Sequence, residues 1–253
     1  MSNIVSRRKW LTAGLTAAGG VAGLSAAAKL ADRYGLIPPD WGGVWGPGET
    51  LTYACQRAIV TPHAMAREFN RSEVSKVAPV SGKPPKTDPY QRLLAGKFAD
   101  WRIAIDGLVT RPAGFSLAEL KRFPASTQIT EQTCEEGWSF VAEWTGVRLS
   151  HVLSLVGVQP HARYVAAFSY DDGYDSLDMQ DALHAQTLIA YGMNGRELTP
   201  DYGAPVRLKV PRQLGYKSLK FLSRLTVTDS MKNIGKGLGS WQPEGGYSWY
   251  AGI

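Results

Sequence analysis

The sequence predicts an α+β domain built largely on mixed sheet, and three observations carry that expectation. Short apolar runs, alternating or bounded by turn residues, recur from about residue 101 onward. The helical stretches between them are few and short. Neither an internal repeat nor a strand–helix–strand alternation occurs, so a doubly wound parallel sheet is excluded. At 253 residues, with 44% apolar and 20% charged side chains, the chain can bury a sizeable core as one large or two small domains.

Residues 1–28 read as a twin-arginine signal segment. Ser6-Arg7-Arg8-Lys9-Trp10-Leu11 precedes a mildly apolar run from Leu11 to Ala28, and Ala26-Ala27-Ala28 offers a small-residue cleavage site. The expectation is export to the periplasm by the twin-arginine machinery, with an uncleaved membrane anchor as the alternative. That pathway carries folded cargo, commonly with a cofactor already inserted. Residues 29–50 read as a linker, because Ile37 to Thr50 is loaded with proline, glycine and tryptophan. Residues 51–253 form the domain.

Within it, Leu51 to Phe69 holds a short helix interrupted at Pro62, and Pro79 to Pro89 is a proline- and lysine-rich loop. Trp101 to Gly107 alternates as a strand. Ser116-Leu117-Ala118-Glu119 has the capping-box pattern and starts a short helix that stops before Pro124. Thr127 to Gln132 is a strand, and Ser150 caps a helix over His151 to Val156 that Gly157 ends. Arg163 to Tyr170, Leu188 to Gly192, Val206 to Val210 and Phe221 to Thr228 are strands. Asp171-Asp172-Gly173 is a turn and Asn194-Gly195 a hairpin signal. The aromatic, glycine-rich tail from Gly235 to Ile253 packs on the domain.

Charge and cysteine content narrow the function. The formal charge is +6, but Arg7, Arg8, Lys9 and Lys29 lie in a leading segment without acids. Removing them leaves 24 basic against 22 acidic residues, which does not support a nucleic-acid binder. The chain has no Cys-x-x-Cys, and its four histidines lack zinc spacing, so iron–sulfur and zinc sites are excluded. Cys134 leaves a strand inside Thr133-Cys134-Glu135-Glu136-Gly137-Trp138-Ser139. Neighbouring carboxylates raise a thiol's pKa and make a poor nucleophile, whereas a bound metal deprotonates it outright. Cys134 is thus either a ligand to a strong Lewis acid, or a structural cysteine, free or paired with Cys55. Downstream, Gly203-Ala204-Pro205-Val206-Arg207 and Gly215-Tyr216-Lys217-Ser218-Leu219-Lys220 supply a guanidinium suited to bidentate phosphate contact, two ammonium groups and exposed amides. An anion site and a solvated basic loop both fit this stretch.

Those two stretches, together with Trp144-Thr145-Gly146-Val147 and Tyr191-Gly192-Met193-Asn194-Gly195, stand in the order seen in the sulfite oxidase family of molybdopterin enzymes. The chain resembles that family from about Phe69 to Thr228, and most resembles its exported single-domain bacterial branch, which includes periplasmic methionine-sulfoxide reductases. The resemblance implies a mixed-sheet, sulfite-oxidase-type molybdopterin-binding domain. It implies a Mo-molybdopterin cofactor whose metal takes one protein thiolate, matched by Cys134. It places Arg207 and Ser218-Leu219-Lys220 at the pterin and its phosphate, Ser169 at a small-hydroxyl position, and Asn70 with Arg71 on an entry loop. Tyr202 stands where relatives carry asparagine or histidine. The expected function is two-electron oxygen-atom transfer on a small or protein-bound S-oxide or N-oxide. Glu136 is placed as proton donor, and electrons come from a membrane cytochrome b-type or soluble redox partner. The chain also departs from the pattern, because Glu131-Gln132-Thr133 replaces a basic approach to the cysteine, which disfavours the sulfite dianion. A sulfite-oxidising enzyme and a non-catalytic exported binding domain with a structural Cys134 are the alternatives. Without a haem-binding Cys-x-x-Cys-His or a dimerisation domain, a monomer is expected.

Overall fold

Ten strands form two five-stranded sheets in a computed structural model that describes residue 23, residues 25–32 and residues 35–253. The twin-arginine pair and nearly all of the signal segment lie outside the described residues. The first sheet contains β1 (Arg102–Gly107), β2 (Ala113–Ser116), β5 (Tyr164–Ser169), β6 (Tyr174–Asp178) and β10 (Leu222–Thr228), in the order β2-β1-β10-β5-β6. Only β1 and β10 run parallel, so this sheet is mixed. The second is antiparallel: β3 (Ala125–Thr133), β4 (Ser139–Arg148), β7 (Leu188–Met193) and β8 (Arg196–Glu197) follow in order, and β9 (Arg207–Lys209) pairs with β7. Asn194 and Gly195, both at positive φ, join β7 to β8 as the hairpin signal predicts.

One core serves both sheets. Ile103, Ile105, Leu225 and Val227 of the first meet Val147, Ile189 and Leu208 of the second. Among the helices that pack against them, the one over Leu149–Val156 is central, burying Leu149, Val152, Leu153 and Val156 on one face. Gly157, at φ 69°, ends it, as expected. Ser150 does not cap it. The helix starts two residues earlier, at Leu149 with Arg148 as N-cap, and the fully buried Leu149 donates its N–H to Thr187 O at 2.9 Å, which settles one orphan donor of the first turn. The Ser116 capping box is present, with Glu119 N donating to Ser116 Oγ at 3.2 Å and Ser116 N to Glu119 Oε2 at 2.7 Å.

The segment expected to be a linker is partly built into the fold. A 3-10 turn at Gly43–Trp45 leads into helix α1 (Pro47–Ile59), and Ile37, Asp40 and Glu49 are buried. The tail explains why: Trp249 N donates to Glu49 Oε1 at 3.0 Å and Trp249 Nε1 to Ser176 Oγ at 2.8 Å. Arg57 of α1 lies 4.2 Å from the Tyr250 ring centroid and pairs with buried Asp178 and, at 2.7 Å, Asp181. A second helix, α2 (Asp88–Ala95), follows the proline-rich loop.

Candidate active site

Cys134 sits where β3 ends and the chain turns back into β4, the two longest strands. The turn is closed by Cys134 N donating to Trp138 O at 2.9 Å and Gly137 N to Cys134 O at 3.1 Å. Gly137 takes φ 90°, a conformation open to glycine and costly for other residues. The thiol is buried and unpaired, and Cys55 is exposed and equally free, so the disulfide alternative does not hold. Its Sγ lies 3.3 Å from Glu135 Oε2 and 3.8 Å from Glu136 Oε2. Burial pushes the thiol up to about 11. The Glu135 and Glu136 carboxylates add to this, against a lowering contribution from the Glu136 N–H.

The thiol opens into a cavity of about 400 Å³. Its far wall is the loop from Gly215 to Phe221, which reaches the cysteine because residue 215 has no side chain. A Cβ there would stand 2.6 Å from Gln132 Nε2 and 3.6 Å from Cys134 Cα. Arg207 enters from β9, fully desolvated and held by backbone carbonyls: Nη2 donates to Ser218 O at 2.7 Å, Nη1 to Tyr202 O and Nε to Leu208 O, both at 3.2 Å. Burial pushes it down to about 10. Lys220 donates to Ser81 O and Asp201 O, and burial with the Arg207 charge pushes it down to about 8. Behind them Lys209 donates to Gln132 Oε1 at 2.9 Å, and burial holds it well below the usual lysine range. Arg207 and Lys209 both lie 5.3 Å from the Trp144 ring centroid.

The cavity gathers most of the residues singled out by sequence: Cys134, Glu136, Tyr202, Arg207, Ser218, Leu219 and Lys220 all line it. Three do not. Ser169 hydrogen-bonds Asp171 in the turn behind the wall. Asn70 caps a 3-10 turn through Glu73, and Arg71 pairs with Glu143. Residues 68 and 69 bond to Thr130 and Ile129, four and five residues before Cys134 along β3. Lys217, read from sequence as one of the two ammonium groups of that stretch, is buried against Asp175 and does not line the cavity. Sequence reasoning missed Ser81, Lys83, Asp201, Trp241 and Gln242, which no motif marks and which only the chain's return to the cavity brings there. Trp138 was in view as part of the cysteine stretch, but not as a wall: its Nε1 donates to Glu136 Oε2 at 2.8 Å and fixes that carboxylate.

Residues 91–234 match the family described as oxidoreductase molybdopterin binding domain. The chain belongs to this family. A relative from Azospira oryzae, provisionally named as the protein-methionine-sulfoxide reductase subunit YedZ1, is 38% identical over 154 residues, 61% of this chain and 56% of its own. The protein-methionine-sulfoxide reductase catalytic subunit MsrP of Xanthomonas axonopodis pv. citri is 31% identical over 214 residues, 75% of this chain and 66% of its own. The crystal structure of the sulfane dehydrogenase SoxCD from Paracoccus pantotrophus superposes with a TM-score of 0.51 at 27% identity, covering 54% of this chain and 40% of that one. The chain thus spans roughly half to two thirds of the length of its curated relatives. The fold is the α+β, sulfite-oxidase-type molybdopterin-binding fold expected.

The family's cofactor is Mo-molybdopterin, and the cavity fits it on two grounds. First, a buried guanidinium without a carboxylate partner costs several kcal/mol, roughly, unless an anion joins it. Arg207 is such a group, and a pterin phosphate is such an anion. Second, among the described residues no group of three or more His, Cys, Asp or Glu could hold a bare metal ion. A metal at Cys134 must therefore arrive with other ligands, as a pterin dithiolene provides, and a soft thiolate suits it.

Proposed function

We propose that this chain is the oxidoreductase domain of an exported molybdopterin enzyme that reduces S-oxides, with methionine sulfoxide in proteins as substrate. The observation that carries this reading is the single buried thiol with Glu135, Glu136 and Trp138 on the rim beside it, while Asp171, Asp201 and Trp241 line the cavity together with Lys83, Arg207 and Lys220. Such a rim opposes the sulfite dianion and accepts a neutral S-oxide. The names of the relatives point to the same substrate class.

Reduction of a sulfoxide consumes two electrons and two protons and yields a thioether and water. When bound, the cofactor supplies the two-electron redox chemistry. Cys134 would hold its metal, and Arg207 with Lys220 would place positive charge beside its phosphate. Glu136, whose carboxylate is oriented by the Trp138 N–H, is placed as the proton donor to the departing oxygen. Electrons come from a membrane cytochrome b-type or soluble partner. Export proceeds through Arg7 and Arg8, so replacing both by lysine leaves the chain inside the cell. No helix among the described residues is long and apolar enough to cross a membrane.

The test is turnover by purified holoenzyme with reduced benzyl viologen. Dimethyl sulfoxide and peptide methionine sulfoxide are expected to be reduced, and Glu136→Gln to slow turnover without releasing metal. Sulfite oxidation in the absence of any S-oxide reduction overturns the reading.

A further inference from the structure

Beyond the cavity mouth the surface continues as an apolar platform. Trp241, 49% exposed, both lines the cavity and begins the C-terminal strap whose 3-10 turn covers Gln242–Gly245. That strap is tied to the turn at Gly43–Trp45 by Trp45 Nε1 donating to Gly246 O at 2.9 Å. Trp41, Val44 and Trp45 nevertheless remain 63%, 69% and 65% exposed. The Tyr247 ring on the same strap lies tilted against that of Tyr216, a residue of the cavity wall, with centroids 5.9 Å apart. Trp41 is held at φ 55°, a backbone conformation that bulky residues rarely adopt, and its side chain is exposed. Clustered exposed tryptophans mark interaction surfaces, since they supply large contact area at little entropic cost.

Charge narrows the occupant. Residues 37–51 and 238–253 contain no lysine or arginine. Asp40 and Glu49 there are buried, Glu244 is paired with Lys236, and the adjoining cavity carries Glu135, Glu136, Asp171 and Asp201 beside Lys83, Arg207 and Lys220. Within these two segments an anionic bilayer finds no cation to hold. A sulfoxide side chain that reaches the thiol through the cavity mouth leaves the rest of a polypeptide substrate across that mouth, beside Trp241. We propose that Trp41, Val44 and Trp45, continuous with Trp241, dock the apolar residues that flank a sulfoxide side chain in a neutral or basic polypeptide. This rests on the S-oxide reading above.

The experiment compares two neutral synthetic peptides, each with one methionine sulfoxide, flanked in one by leucine and phenylalanine and in the other by glycine and serine. Holoenzyme is driven by reduced benzyl viologen. The wild type is expected to prefer the apolar peptide in kcat/KM by about tenfold, mostly through KM, as aromatic anchors supply. Trp41→Gln/Val44→Ser/Trp45→Gln is expected to lose that preference while its kinetics on the glycine–serine peptide stay the same. Should the triple variant lose turnover of both, Trp41→Gln alone decides, with about a threefold loss expected on the apolar peptide only. An unchanged preference in that variant overturns the platform, as does a deficit seen only when membranes replace the viologen, which assigns the surface to the electron donor. Wild-type enzyme that reduces neither peptide nor dimethyl sulfoxide overturns the S-oxide reading itself. Turnover without preference overturns the platform alone.

Discussion

Gly215 lies directly against Cys134: a methyl group on its Cα would come within 3.6 Å of the cysteine Cα and closer still to the buried Gln132 amide. The loop carrying Ser218 to Lys220 therefore keeps its distance to the thiol by having no side chain at that point. Gly215→Ala is expected to cost about 1–3 kcal/mol by overpacking and to lower cofactor content. Urea denaturation and pterin analysis check both, and full pterin content in the variant contradicts this role.

Arg207 ties three carbonyls of the cavity wall together while presenting a desolvated cation. Arg207→Ala should release most of the pterin and cost about 1–3 kcal/mol by leaving the Ser218 and Tyr202 carbonyls unpaired. Arg207→Lys should not restore retention, because an ammonium cannot reproduce the planar fork. Pterin fluorescence after denaturation of each variant is the measurement.

What the sequence showed and what it hid divide along the range of the interactions. Gly157, Asn194-Gly195 and the Ser116 box act within a few residues and were readable. The cysteine turn and the Arg207 to Lys220 wall were readable as motifs. The fold of residues 37–50 was not, since Glu49 is held by Trp249, two hundred residues away. Lys217 looked free because its partner Asp175 is distant in sequence. The start of α2 was masked by the prolines before it, and Asn70 and Arg71 were placed by motif likeness where the β3 pairing carries them elsewhere.

Lys220 gives the cofactor-free chain an unusual pH dependence. Its folded value is pushed to about 8, from an ordinary 10.5. Between those values the unfolded chain holds a proton that the folded chain has lost, so stability rises with pH across the window. After discounting for partial solvent exposure, the gain is about 1–2 kcal/mol. Denaturation at pH 8 and pH 10 should show it, and Lys220→Met should flatten the slope. Equal slopes in both proteins contradict the assignment.

Helix α1 is held by a buried ion cluster. Arg57→Met leaves Asp178 and Asp181 without their cation and is expected to destabilise the chain by about 3–5 kcal/mol. Adding Asp178→Asn should recover part of that loss. Limited proteolysis should find α1 released in the single variant.

The central claim is that Cys134 binds molybdenum through its thiolate. X-ray absorption at the molybdenum edge of the purified holoenzyme tests it most directly. The account predicts metal in proportion to protein, with a sulfur shell that loses one scatterer in Cys134→Ser while S-oxide reduction disappears. Protein isolated without molybdenum or pterin, or a sulfur shell identical in the serine variant, would contradict it.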